Sequence, residues 1–272
     1  RANSCIRYHA FFWRQAMTRT ILPRDHLPQD LIDALSRTRR LAVLTGAGVS
    51  AESGVPTFRD ARTGLWAHHD PMALASPEGF DADPRLVWNW YQWRRELIAR
   101  AEPNAGHRSL AELARHVDLD LITQNVDGLH QRGGSASVLE LHGNIQRTIC
   151  SKTRRIIDSD WLERHADRQP PPSPHAPDGR ARPDVVWFGE ALDPGTLEQA
   201  FTAARRCDLM IVAGTAGAVH PAASLPVLAV EHGARVIDIN PATSELTRLA
   251  DWHLKGGSAH WLPILTAVGR KD

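Results

Sequence analysis

The sequence predicts an α/β fold: a doubly wound parallel sheet with a second, smaller domain formed by two insertions. Three observations predict it. Short β-rich runs recur and end in small or polar residues, helical patterns separate them, and two long stretches interrupt the alternation. Strands that alternate with helices pair in parallel through right-handed crossovers.

The first run, LAVLTGAG (41–48), reads as a buried parallel strand that ends in a tight glycine turn. HRSLAELARH (107–116) carries helical periodicity and leads into LDLITQN (119–125), a second strand. PGTLEQAFTAARR (194–206) is a helix before the strand CDLMIVAGT (207–215), and PAASLPVLAVEHG (221–233) is a helix before ARVIDIN (234–240). Ligands of such sheets lie beyond the carboxyl ends of the strands, which here read GAG, TQN, GTA and INP.

Residues 60–104 and 150–183 break the pattern. The second contains QPPPSPHAPDGRARP, which cannot stay regular for long. The first contains WNWYQWRREL (88–97), a helix on which Val87, Trp90, Tyr91, Arg94, Leu97 and Ile98 form one stripe. Arg94 is the charged member of that stripe, and a guanidinium facing a core demands an anion. Arg95 and Arg100 lie off the stripe and are expected in solvent.

At 272 residues the chain suits one large α/β domain carrying a smaller insert. A net charge of +1 gives no electrostatic footprint for nucleic acid or an acidic membrane. Cys5, Cys150 and Cys207 are too far apart for a disulfide framework, which points to a reducing compartment. The first 24 residues hold five Arg and neither Asp nor Glu, the bias of a mitochondrial transit segment. The competing reading is an N-terminal extension upstream of Met17. A cytoplasmic location is the expectation, with the mitochondrion as the alternative.

Gly46-Ala47-Gly48-Val49-Ser50-Ala51 fits G-x-G-x-x-A after a strand, a turn whose backbone approaches a pyrophosphate. The acidic residue expected about 20 positions on is missing, which counts against an ordinary dehydrogenase.

GAGVSAESGVPTFRD (46–60), TQNVDGLH (123–130), LELHGN (139–144), VVWFGE (185–190), GTAGAVHP (214–221) and DINP (238–241) occur in that order. Together they resemble the sirtuin family of NAD-dependent protein deacylases, over roughly residues 35 to 262. The resemblance implies a Rossmann-like NAD-binding domain from residues 31–59, 105–149 and 184–272. Residues 60–104 and 150–183 would form the small domain, and 1–30 an extension.

The implied cofactor residues are Gly46, Ala47, Gly48, Glu52, Ser53, Thr57, Phe58 and Arg59, with Gln124, Asn125, Asp127, Gly214, Thr215, Asn240 and Pro241. Phe58 would shield the reacting ribose carbon from water. Gln124, Asn125 and Asp127 would meet the nicotinamide ribose and carboxamide. Asn125 and His142 are the implied catalytic residues. The acyl-lysine carbonyl oxygen would attack the ribose carbon and expel nicotinamide. His142, as general base, would then activate the neighbouring hydroxyl. Water would release lysine and an O-acyl-ADP-ribose.

Val186, Trp187, Phe188, Gly189 and Glu190 would form an edge to which an extended substrate peptide adds as a strand. Tyr91 and Arg94 match the Tyr-x-x-Arg pair of the class III, desuccinylase and demalonylase branch, and Ala75 the small residue that widens its acyl pocket. Three apart on a helix, Tyr91 and Arg94 project from one face, and arginine offers a planar fork for a carboxylate. The implied partners are acylated lysine side chains of proteins.

The chain departs from the family at its zinc site. Most sirtuins hold zinc with two C-x-x-C pairs; here the first reads Cys150-Ser-Lys-Thr153, and His175-Ala-Pro-Asp178 is taken as the second. Such a donor set makes zinc an unexpected cofactor. Ala216 also replaces a serine expected near the cofactor. Two other readings stand beside deacylation: an NAD glycohydrolase or ADP-ribosyltransferase on the same scaffold, and an idle NAD-binding module.

Overall fold

The computed structural model describes residues 18–56 and 70–270. Seven parallel strands form the main sheet: β1 (Arg19–Ile21), β2 (Arg40–Thr45), β3 (Asp118–Thr123), β4 (Leu139–Glu140), β7 (Leu209–Ala213), β8 (Arg235–Asn240) and β9 (Trp252–Lys255). Their spatial order is β1-β9-β8-β7-β2-β3-β4. The remaining two strands, β5 (Gly143–Cys150) and β6 (Ala181–Val185), pair antiparallel in a separate small sheet. From β2 the chain runs outward to β3 and β4, then returns to lay β7, β8 and β9 on the other side. The order therefore reverses between β2 and β7, and a ligand crevice opens beyond their carboxyl ends.

The sheet is covered on both faces, as parallel sheets require. One face packs Val43, Leu121, Ile211 and Ile237 against α1 (Gln29–Arg37), α6 (Ala105–Leu113) and α11 (Ser258–Gly269). The other packs Leu44, Ile122, Met210 and Val212 against α9 (Pro194–Arg206) and α10 (Leu225–Glu231). The four strands expected from sequence correspond to β2, β3, β7 and β8. The outermost strand, β1, comes from within the first 30 residues and pairs with β9. The transit-segment reading of the N-terminus falls mostly on residues outside those described.

Strand β9 and helix α11 have no counterpart among the expected elements. The α11 sequence SAHWLPILTAVG contains Pro263 and is apolar on nearly every side, so no 3.6-residue stripe marks it. Glu52 supplies its cap from a distance, accepting the Ser258 hydroxyl at 2.7 Å and the Ala259 amide at 3.0 Å. A carboxylate there satisfies orphan donors at a helix N-terminus.

A third apolar cluster holds the smaller layer together. Helices α3 (Pro71–Leu74), α4 (Pro77–Ala82) and α5 (Pro84–Arg100) bury Leu74, Phe80, Val87, Trp90, Tyr91 and Ile98 with Ile145, Val185 and Trp187 of the small sheet. Asp83 caps α5 through the Leu86 amide at 2.9 Å, and Pro84 opens its first turn. Arg95 corrects the solvent expectation. Its guanidinium crosses to β5 and donates to the carbonyls of Ile145 (2.6 Å) and Arg147 (3.0 Å) and to the Thr148 hydroxyl (2.9 Å). Arg100 is exposed, as expected.

The carboxyl ends of β2 and β7 approach backbone to backbone. A Cβ on Gly214 would stand 2.5 Å from the Val49 nitrogen, and the residue has φ +63°. Gly214→Ala combines a left-handed strain with a clash and is expected to cost roughly 2–4 kcal/mol. A urea denaturation midpoint close to that of the parent protein would show that the two strand ends can separate freely.

Candidate active site

The crevice floor is made of glycine and short polar side chains. Gly46 donates to the Ala213 carbonyl and Gly48 to the Gly214 carbonyl, each at 2.9 Å. Ala47 opens the short helix α2 (Ala47–Ala51). The Thr215 hydroxyl accepts from Gln124 Nε2 at 3.0 Å, and its carbonyl accepts from Asn240 Nδ2 at 3.2 Å. Thus β3, β7 and β8 each send one polar side chain to a common point. Asn240 also donates to the buried Asp238 carboxylate, whose other oxygen accepts from Thr247. Burial raises the Asp238 pKa despite those two hydrogen bonds. Pro241 lies exposed just beyond.

Asn125 is buried at the β2–β3 end of the crevice. Its Nδ2 donates to the Gly46 carbonyl (3.0 Å) and the Ser50 hydroxyl (3.1 Å), and its backbone amide donates to Thr123 Oγ1 (3.0 Å). Thr123 is steadied by Thr45 at 2.8 Å, and Thr45 by His130 at 2.9 Å. Burial and the neighbouring His107 push His130 down to about 3, so this relay is uncharged. Asp127 is buried and accepts the Leu129 amide at 2.9 Å through one oxygen. Sequence reasoning passed over His107, His130 and Thr45, which are linked to Asn125 only through space, by the Thr123–Thr45–His130 hydrogen bonds and the His107–His130 ring contact.

His142 Nδ1 lies 2.9 Å from the Gln124 carbonyl. A carbonyl can only accept, so the proton sits on Nδ1 and the neutral ring leaves its lone pair on Nε2. Burial lowers the His142 pKa, opposed in part by that hydrogen bond. The ring is therefore held neutral with its basic nitrogen presented.

Tyr91 and Arg94 face the apolar layer together. The Tyr91 hydroxyl accepts from Trp187 Nε1 at 2.9 Å, and burial pushes the phenol up to about 12. Arg94 lies 5.1 Å from the Trp90 ring, against Val55, Pro56, Leu97 and Ile98. Among the described residues it forms no ion pair, and its buried Nη1 has no hydrogen-bond partner. Burial lowers the Arg94 pKa, offset in part by Tyr91 and Asp127. Ala75 is buried nearby, its carbonyl accepting the Phe188 amide at 2.9 Å.

The VVWFGE segment departs from the expected edge strand. Strand β6 ends at Val185, and Trp187 to Glu190 form a turn closed by the Glu190 amide on the Trp187 carbonyl at 3.0 Å. Gly189 supports it with φ +85°. The Val186 amide donates to the His142 carbonyl (3.0 Å), and the Trp187 amide to Glu190 Oε2 (2.9 Å). The buried Arg182, another residue the sequence reading passed over, holds Glu190 with both terminal nitrogens, at 2.7 and 2.8 Å.

Not every expected residue converges on the crevice. Glu52 is engaged by α11, and the Ser53 hydroxyl accepts from Asn104 Nδ2 at 3.0 Å. Thr57, Phe58 and Arg59 lie outside the described residues.

A family model described as the Sir2 family matches residues 46–221. The chain belongs to the Sir2 family. An NAD-dependent protein deacylase 1 of Pseudomonas aeruginosa is 47% identical over 86% of this chain and 96% of the relative. One from Aeropyrum pernix is 50% identical over 81% and 89%. The crystal structure of a Sir2 homolog–NAD complex matches with a TM-score of 0.81 at 42% identity, covering 89% of this chain and 94% of that one. A Sir2–p53 peptide–NAD complex matches with a TM-score of 0.77 at 28% identity, over 90% and 99%.

The segments where the resemblance places two zinc-binding pairs come together around Cys150. A Cβ built on Gly179 would meet Cys150 Sγ at 2.9 Å and the Cβ atoms of Ser173 and Ala176 at 3.1 Å. The second pair facing Cys150 is therefore Ser173-x-x-Ala176. His175 is turned away to the Ile156 carbonyl at 2.8 Å, and Asp178 is exposed. One thiol, two hydroxyls and a methyl do not fit tetrahedral zinc. Burial opposes ionisation of Cys150, yet hydrogen bonds from Ser173 and Thr153 bring its thiol down to about 7. Trp88, Ile157 and Ala181 pack around it. Prolonged treatment with a strong zinc chelator is expected to leave the melting temperature unchanged; a fall of several degrees would restore metal to these segments.

Proposed function

We infer that the chain is an NAD-dependent protein-lysine deacylase, and we propose that its preferred acyl groups are dicarboxylic: succinyl, malonyl or glutaryl. The observation that carries the acyl preference is the Arg94 guanidinium, whose buried Nη1 has no hydrogen-bond partner and which forms no ion pair with a described carboxylate. A buried charge without a partner is costly, and a terminal carboxylate of the substrate relieves that cost. Ala75 is a small side chain in the same apolar cluster as Tyr91, and Tyr91 adds a neutral donor from the same helix face as Arg94.

The donor set at the ends of β2, β3, β7 and β8 suits a dinucleotide. In this reading Gln124, Thr215 and Asn240, linked to one another at the strand ends, meet the ribose, and the buried Asn125 and Asp127 hold the carboxamide. When bound, NAD supplies an electrophilic ribose carbon as nicotinamide departs. In this reading His142 takes the proton of a ribose hydroxyl at Nε2, and the Gln124 carbonyl fixes the tautomer that makes this possible. By the same reading the main sheet carries the cofactor, and the layer of α3, α4 and α5 with β5, β6 and Trp187 carries the acyl pocket.

One peptide carrying either acetyl- or succinyl-lysine, incubated with NAD and followed by mass spectrometry, tests the reading. Faster succinyl removal with formation of an acyl-ADP-ribose is the expected result. NAD loss without change of the peptide would indicate a glycohydrolase instead, and no turnover an idle module. Arg94→Met should lower succinyl kcat/KM about 100-fold, far more than it lowers acetyl kcat/KM; equal losses would make Arg94 structural.

Because burial lowers the His142 pKa, the neutral base persists below the ordinary histidine value of 6.5. With the acetyl peptide, the acid limb of kcat/KM should have its midpoint below pH 6.5. A midpoint at or above that value would remove His142 as the base.

A further inference from the structure

Trp187 connects the acyl pocket to a buried ion pair. Its ring is 2% exposed and lies 5.2 Å from the Phe80 ring. The indole N–H donates to Tyr91 Oη at 2.9 Å. Behind the ring sits Arg182, its guanidinium carbon 3.3 Å from the ring centroid. Arg182 is 4% exposed and is committed on several sides: both terminal nitrogens reach Glu190, and one also reaches the Val185 carbonyl at 2.8 Å. Glu190 Oε2 then accepts the backbone amide of Trp187 at 2.9 Å. Both the ring and the main chain of Trp187 are thus held by the same pair.

The chemistry of the indole decides what the phenol can do. An indole N–H donates and never accepts, so the Tyr91 proton cannot be directed at Trp187. The phenol uses a lone pair there and keeps its proton for another acceptor. Arg94, three residues on, shares the helix face. We propose that Trp187 is a specificity-positioning residue: its N–H orients the Tyr91 hydroxyl so that the phenolic proton points to the terminal carboxylate of a dicarboxylic acyl-lysine, and the Arg182–Glu190 pair fixes the indole for this task. This rests on the dicarboxylate reading above. Burial that holds the phenol near 12 keeps Tyr91 a donor throughout the working pH range.

Trp187→Phe removes the N–H and retains an aromatic ring. Succinyl and acetyl versions of one peptide are assayed with the parent protein, Trp187→Phe, Tyr91→Phe and the double variant, reading kcat and KM separately. The expected result is about a fivefold fall in the succinyl-to-acetyl ratio of kcat/KM for Trp187→Phe, carried by the succinyl KM. In the Tyr91→Phe background, the same change should leave the ratio within about twofold, because the hydroxyl it orients is gone. Equal effects on both peptides, or a fall that adds to that of Tyr91→Phe, overturns the positioning role and leaves the dicarboxylate reading standing. A parent protein with no succinyl preference overturns both. Should Trp187→Phe fail to fold, Glu190→Gln loosens the clamp and is subject to the same comparison, a lowered ratio that vanishes beside Tyr91→Phe being required.

Discussion

The close approach of two strand ends organises this molecule. Gly48 and Gly214 meet backbone to backbone where the sheet reverses its order, and no side chain separates them. Around that contact Gln124, Asn125, Thr215 and Asn240 are tied to the strand ends by hydrogen bonds. The polar groups are fixed before any ligand arrives, because each is already bonded to a neighbouring strand end. A crevice of this kind binds by preorganisation, with little rearrangement needed on entry.

The smaller layer relies on different means. Its apolar stripe on α5 joins it to β5 and β6, and Arg95 stitches the same helix to carbonyls that β5 leaves unpaired at its irregular register. The loop beyond holds one thiol, Cys150, among hydroxyl donors and apolar neighbours. Side-chain packing and helix-to-strand hydrogen bonds hold the module together.

Much of this was legible in the sequence. The β2, β3, β7 and β8 runs announce themselves because a strand buried on both faces is a continuous apolar stretch, and the Arg94 anomaly is visible from helical period alone. Other features were hidden for physical reasons. Strands β1, β4 and β9 are two to four residues long, too short for any period to register. Arg95 sits off the apolar stripe, yet its guanidinium finds two carbonyls and a hydroxyl on another element, which no local pattern encodes. The alignment of Ser173 and Ala176 with Cys150 depended on how a proline-rich loop closes. The turn at Trp187–Glu190 depended on a carboxylate and an arginine eight residues apart meeting in space.

That turn has a bearing on what sequence can surround a target lysine. The amides of Val186, Trp187, Phe188 and Glu190 are all engaged within the protein. Under the proposed docking of a substrate peptide on this segment, those four amides are not offered to it, and its backbone meets mainly carbonyl oxygens. A proline brings no hydrogen to a carbonyl, so under that proposal the backbone itself would discriminate among the residues that flank the lysine.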